Sequence, residues 1–195
     1  MDAIKCGVLG DNNTGKTCLL VKYTTKEFPK NDNIPTVFDD YIGEIIVDGR
    51  PCLLELYDST SHCAGDHLRQ FEYKDTDIFL ICFSVVEPTT FESVWCKWFP
   101  QIKRVCPDAR VVVVGTKTDL RDLVHNEGGP VTTKQGQEMA YEVGANEYLE
   151  CSALGGSGVA QVFLEAARIA TRSANEDGKC VKCKTAVTTV CCAVC

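Results

Sequence analysis

No run of apolar residues in this chain is long enough to cross a bilayer, and no segment repeats. Positive charge is also scarce: 20 Lys and Arg stand against 27 Asp and Glu, a net −7 at pH 7. That balance argues against generic nucleic-acid binding. Met1-Asp2-Ala3-Ile4-Lys5 has neither the basic start nor the apolar stretch of a secretory signal. The cysteines lack a framework spacing. There are thirteen, but Cys6, Cys18, Cys52, Cys63, Cys82, Cys96, Cys106 and Cys151 are dispersed, several within apolar runs. They read as reduced thiols in a reducing compartment, so a cytoplasmic location is expected. At 195 residues, one full core can form and two domains would be cramped.

What is present starts with Gly10-Asp11-Asn12-Asn13-Thr14-Gly15-Lys16-Thr17, a complete G-x-x-x-x-G-K-[ST] phosphate-binding loop. Residues 4–9 before it read as a buried strand, and Thr17-Cys18-Leu19-Leu20 after it as a helix start. Between them, backbone N–H groups can converge on phosphate oxygens at a helix N-terminus. Lys16 is placed to bridge the outer phosphates, and the Thr17 hydroxyl to ligate magnesium. Cys18, in the first helical turn beside Lys16, sits where a thiol pKa can fall, although adjacent phosphates and burial oppose this.

The rest of the chain alternates strands and helices. Strands are expected over 41–47 and 51–57, joined by an Asp48-Gly49 hairpin turn, and over 77–84, 110–115 and 147–151. Helices are expected over 90–105, near 133–143 and near 157–172. This pattern predicts an α/β fold: a doubly wound, mainly parallel six-stranded sheet with one antiparallel edge strand and helices on both faces. The apolar run Arg110 to Gly115 ends in Thr116-Lys117-Thr118-Asp119. A carboxylate there can accept two hydrogen bonds from guanine, N1–H and the exocyclic amine. Adenine offers no such pair, and a polar mismatch of this kind discriminates by about 10⁴-fold or more. Ser152 and Ala153 follow the last strand and complete the set.

At these residues the chain resembles the Ras-like small GTPases, and within them the Rho/Rac branch. The resemblance is carried by Gly10 to Cys18, Phe28-Pro29, Ile34-Pro35-Thr36-Val37-Phe38-Asp39, Asp77 to Ser84, Thr116 to Asp119 with Leu120-Arg121-Asp122, and Glu150-Cys151-Ser152-Ala153-Leu154. It covers residues 3–172. It implies a G domain over 1–175 that binds GTP or GDP with Mg²⁺, through residues 12–18, Phe28, Thr36, Ser61, Thr116, Lys117, Asp119, Ser152, Ala153 and Leu154. Phe28 would lie against guanine and Ala153 would offer its N–H to the base. Thr17 and Thr36 would give the metal hydroxyls, with Asp58 nearby through water. Thr36, Val37, Phe38, Asp39 and Tyr41 would form the effector-binding edge, on a protein acting as a monomer.

The chain departs from that family at the hydrolytic step. After Asp58, relatives carry a glycine and then a glutamine; here Ser61 and His62 hold those places. A serine Cβ restricts the backbone beside the γ-phosphate. Imidazole is shorter than glutamine and poorly shaped to orient the attacking water. Asn12 replaces a family glycine and would crowd both that residue and an arginine finger, a group worth up to about 10⁵ in rate. No confident catalytic residue is therefore assigned. Cys63-Ala64-Gly65-Asp66-His67 lacks the acidic and aromatic residues that exchange factors and the prenyl-binding inhibitor grip in relatives, which leaves those partners and activating proteins in doubt. Between Leu123 and Pro130, two glycines and a proline replace the charged helical insert of the Rho branch, so a short loop is expected.

Composition shifts at Ser173, and residues 176–195 read as a flexible tail. Its last four residues fit C-a-a-X with Cys192 as the prenylated residue and Cys191 as a palmitoyl acceptor, and three tail lysines favour an anionic leaflet. The same segment also offers Cys180-x-x-Cys183 and Cys192-x-x-Cys195 as four zinc thiolates. The sequence thus predicts a GTP-loaded module with weak hydrolysis that recruits effectors at the cytoplasmic face of a membrane, foremost the plasma membrane. The alternative is a conventional switch that hydrolyses GTP.

Overall fold

The computed structural model describes residues 2–29, 40–58, 73–123 and 129–176, with side chains as far as 172. Its strands are β1 (Asp2–Leu9), β2 (Tyr41–Val47), β3 (Arg50–Asp58), β4 (Ile78–Ser84), β5 (Arg110–Thr116) and β6 (Glu147–Glu150). They form one six-stranded sheet in the order β2-β3-β1-β4-β5-β6. Only the β2–β3 pair is antiparallel; β1 pairs parallel with β3 and β4, and β5 with β4 and β6. The expected α/β sheet with one antiparallel edge strand is what forms.

Parallel strands need covering on both sides, and β4 records that in its sequence. All seven of its residues are buried. Ile78, Leu80 and Cys82 face the cluster that contains Leu19 and Leu20 of α1 (Lys16–Thr25) and Val162, Phe163 and Ala166 of α5 (Val159–Glu176). Phe79, Ile81 and Phe83 face the other way, onto Val94, Trp98, Ile102, Met139 and Tyr148. Each large side chain so buried contributes roughly 1.5–3 kcal/mol. The β2–β3 hairpin turns at Asp48 and Gly49, both with positive φ (48° and 80°), the conformation that an Asp-Gly pair favours.

The helix expected over 90–105 forms with a difference. It starts at α2 (Pro88–Ser93), widens into a π turn over Val94–Trp98 and resumes as α3 (Phe99–Val105). Phe99 N–H reaches back five residues to Val94 O. Pro100 has no N–H to donate, and its ring would press on a carbonyl four residues back; the wide turn makes room for it. The final helix also continues through the composition change at Ser173 to Glu176.

Helix α4 (Thr133–Val143) begins with a capping box, in which Thr132 and Gln135 exchange side-chain-to-backbone hydrogen bonds. It carries a glycine at 136, where glycine is a poor helix former. The reason is packing: a Cβ there would lie 2.2 Å from Tyr148 Cζ and 2.4 Å from its hydroxyl. Gly136→Ala should therefore lower stability, because overpacking costs about 1–3 kcal/mol while better helix propensity returns only about 1. Chemical denaturation measures this, and a raised midpoint would mean that the tyrosine has room to move.

Candidate functional site

The carboxyl ends of the strands open into a cavity of about 470 Å³. At one end lies the loop that leaves β1. Gly10 turns it with φ +143°, and a Cβ there would stand 2.2 Å from Cys82 O, so no other residue fits. Asn13 follows in the left-handed region, and Gly15 at the head of α1 offers no side chain to cap it. The first amides of α1 are thus left for an anion, and Gly15, Lys16, Thr17 and Cys18 line the cavity. Lys16 is buried, and its Nζ donates to Asp11 O at 2.7 Å. Burial pulls its pKa below the ordinary lysine value, against the attraction of Asp58 and Asp11.

Beside the loop, Thr17 Oγ1 donates to Asp58 Oδ2 at 3.0 Å. Asp58 Oδ1 is buried without a hydrogen-bond partner among the described residues. Burial raises its pKa, and the Thr17 hydrogen bond and Lys16 charge only partly offset that. A buried carboxylate oxygen with nothing to accept from is costly. With the threonine hydroxyl proton directed at Asp58, the lone pairs of both groups remain for a hard cation such as magnesium.

The far end of the cavity is built around Asp119, in a 3-10 turn over Thr118–Leu120 that follows a left-handed Lys117. Ser152 Oγ donates to Asp119 Oδ1 at 2.5 Å and accepts from Gly155 N–H at 2.9 Å. The carboxylate is thereby aimed, with Phe28, Lys117, Leu120, Ala153 and Leu154 around it on the wall. Phe28 and Leu154 supply apolar surface suited to a planar ring.

The structure thus brings together Asn13, Gly15, Lys16, Thr17, Cys18, Phe28, Thr116, Lys117, Asp119, Ala153 and Leu154, all expected from the sequence. Thr14 and Ser152 lie one layer behind, fully buried or nearly so, and act on the loop and on Asp119. Thr116 touches the cavity, but its buried hydroxyl meets Phe83 O at 2.8 Å and Thr14 O. Asn12 is exposed on the loop itself, off the cavity wall. Tyr41 lies half-buried against the core on the inward side of β2, whose outward residues are Ile42, Glu44 and Ile46. Burial also outweighs the Lys117 charge at Cys18 and pushes that thiol up, so the helix start does not activate it. Buried Cys6 and Cys151 are pushed to about 12, as packing thiols should be. Thr36, Val37, Phe38, Asp39, Ser61, His62, most of the shortened insert, Cys191 and Cys192 fall outside the described residues.

Some partnerships gave no sequence signal. Lys97 and Trp98 reach Asp11 in the phosphate loop from more than eighty positions away. Another group steadies the Asp119 turn: Arg121 grips Glu150 with two hydrogen bonds (2.9 and 2.6 Å), and Tyr148 OH donates to Glu150 at 2.7 Å. Burial alone would raise the Glu150 pKa, but the Arg121 and Tyr148 hydrogen bonds and the Arg121 charge hold it below the ordinary range. A carboxyl depressed in the folded state adds stability above its unfolded pKa of about 4.3, and that stability is lost as pH falls through the folded value. Glu150→Gln should therefore be less stable than the parent at pH 7, with the gap closing below about pH 4. Denaturation across that range tests it, and a gap that stays constant into acid would remove the carboxylate from the account.

The family comparison agrees with this geometry. A model described as the Ras family matches residues 5–172, from within β1 to the last helix. That span covers the phosphate loop, the Asp58 strand and the Asp119 turn, and the chain belongs to the Ras family of small GTP-binding proteins.

Proposed function

We propose that this chain is a Rho/Rac-like signalling module that binds GTP tightly, hydrolyses it poorly and so stays largely loaded, presenting its switch surface to effectors. One observation carries the reading. The described cavity wall carries the phosphate loop, Phe28 and Asp119, groups suited to a guanine nucleotide, whereas the residues at the hydrolytic positions, Asn12, Ser61 and His62, depart from the family pattern. Asp119, held by Ser152, selects guanine by accepting from its paired donors. The α1 amides and Lys16 take the phosphates. Thr17 and Asp58 would hold magnesium with Thr36, and the metal would neutralise charge on the outer phosphates. Nothing in Ser61-His62 supplies the long, neutral amide that orients water in relatives. Asn12 adds bulk where an activating arginine would enter.

Rho/Rac character is supported by Leu120-Arg121-Asp122 after Asp119 and by Pro35-Thr36-Val37-Phe38-Asp39. The intact second stretch favours effector binding. The altered Cys63-Ala64-Gly65-Asp66-His67 lacks the acidic and aromatic residues that exchange factors and the prenyl-binding inhibitor grip in relatives, which leaves those two partners in doubt. Residues 1–175 are the G domain in this reading, and 176–195 a lipidated tail that brings it to the cytoplasmic face of a membrane.

Two measurements test the proposal. Single-turnover hydrolysis should run below the roughly 10⁻⁴ per second of an unaided Ras-type enzyme, and protein isolated from cells should carry mostly GTP. The triple reversion Asn12→Gly, Ser61→Gly, His62→Gln should restore part of the rate, with single reversions far from additive because all act on one step. An ordinary intrinsic rate, or recovery with GDP, would favour the cycling switch instead. For the membrane, Cys192→Ser should release the protein to the cytosol, and loss of Cys191 alone should leave a prenylated, weakly attached form, since one chain anchors marginally. An unmodified Cys192 in intact-mass analysis of the tail from eukaryotic cells would end the anchoring idea.

A further inference from the structure

The phosphate loop is gripped from outside by the helix that follows β4. Lys97 Nζ and Trp98 Nε1 both donate to Asp11 Oδ1, at 2.9 and 3.1 Å. In a regular helix neighbouring side chains diverge by about 100° and do not share an acceptor. Here both residues close the π turn, and the lysine stem folds over the indole so that its ammonium lies 4.2 Å from the Trp98 ring. The helix side of this grip is firm, because Val94, Trp98 and Ile102 are all buried in the core. Asp11 then acts through its main chain: its carbonyl accepts both Lys16 Nζ (2.7 Å) and Thr14 Oγ1 (2.9 Å). One residue therefore joins the helix to the lysine that lines the cavity.

We propose that Lys97 and Trp98 are positioning residues for phosphate binding: through Asp11 they hold the loop and the Lys16 ammonium where the β-phosphate of a nucleoside diphosphate must sit. This rests on reading the cavity as a guanine-nucleotide site. The Asp11 carboxyl is suited to the task. Burial would raise its pKa, but hydrogen bonds from Ser93, Lys97 and Trp98 together with the Lys97 charge hold it below the ordinary value, so it stays ionised at neutral pH. Such charge-assisted bonds are stronger than neutral ones. Lys97 is half exposed, so its removal disturbs the grip with little disturbance of the core.

The test compares two ligands that share a base. GDP carries the β-phosphate and GMP does not, so a displaced Lys16 should weaken the first and spare the second. Magnesium-dependent affinities for both are measured by calorimetry or nucleotide competition on the full chain and on Lys97→Met, Trp98→Phe and Lys97→Arg. Lys97→Met and Trp98→Phe should each lower GDP affinity by on the order of tenfold, the worth of one charge-assisted hydrogen bond, with GMP affinity unchanged. Lys97→Arg should recover most of the loss. Equal losses for GDP and GMP would mean that these residues only support the fold, and unchanged GDP affinity would mean that Asp11 needs no clamp; either overturns the proposal. Failure of the underlying site reading looks different. There the parent protein itself would not prefer GDP to GMP, and both proposals would fall together.

Discussion

Three pieces of backbone converge where the carboxyl ends of β1, β4 and β5 meet, and the binding cavity depends on how closely they pack. Gly10 passes so near Cys82 O that a methyl group would collide with it. The buried Thr116 hydroxyl stands between Phe83 O and Thr14 O, at the end of β4 and inside the phosphate loop. A hydroxyl has one proton, so the two carbonyls share it, and both are kept beside the end of β5. Loosening this junction would separate the phosphate end of the cavity from the base end, since the loop follows β1 and the Asp119 turn follows β5.

Around that junction the polar groups are organised in layers. Side chains on the wall are few, and most of them are aimed by a neighbour that does not touch the cavity: Asp119 by Ser152, Thr17 by Asp58, Lys16 by the Asp11 carbonyl. A directed donor or acceptor loses less entropy on binding than a free one, which is how a site on loops acquires definite geometry. Glu150 extends the same arrangement outward. It couples Arg121, just after the base turn, to Tyr148, whose ring fills the space left by Gly136. Base recognition is thus tied to helix packing on one face of the sheet, and phosphate recognition to the helix beyond β4 on the same face.

Binding and hydrolysis ask different things of such a site. Binding needs charges and amides fixed in place, which the loop, α1 and the Asp119 turn provide. Hydrolysis further needs a water held in line with the leaving group and charge supplied as the bond breaks. In the proposed reading the residue types at the hydrolytic positions suit neither requirement, while the phosphate loop and the Asp119 turn keep the groups that binding needs. In energetic terms, that proposal amounts to retained ground-state affinity with loss of the stabilisation peculiar to the transition state.

Much of this was legible in the sequence, for a local reason. Strand and helix periodicity, the Asp48-Gly49 turn, the phosphate loop and the Asp119 segment are patterns within a few consecutive residues, and short-range backbone physics sets them. The mainly parallel sheet with one antiparallel edge strand followed as well, because buried apolar runs alternating with helices need cover on both faces; the order of its strands came only from the structure. The π turn was not legible, since it reconciles Pro100 with a helix whose Val94, Trp98 and Ile102 are already committed to the core. The withdrawal of Thr14 and Ser152 behind the wall could not be read either, because motif spacing says which residues gather and not which of them face the cavity. The partnership of Asp11 with Lys97 and Trp98 lay furthest out of reach. Residues 86 and 87 positions apart in the chain become neighbours only when β1 and β4 pair in parallel and the helix after β4 packs back over their ends. Hydrogen bonds across such distances are decided by tertiary packing, which no local pattern encodes.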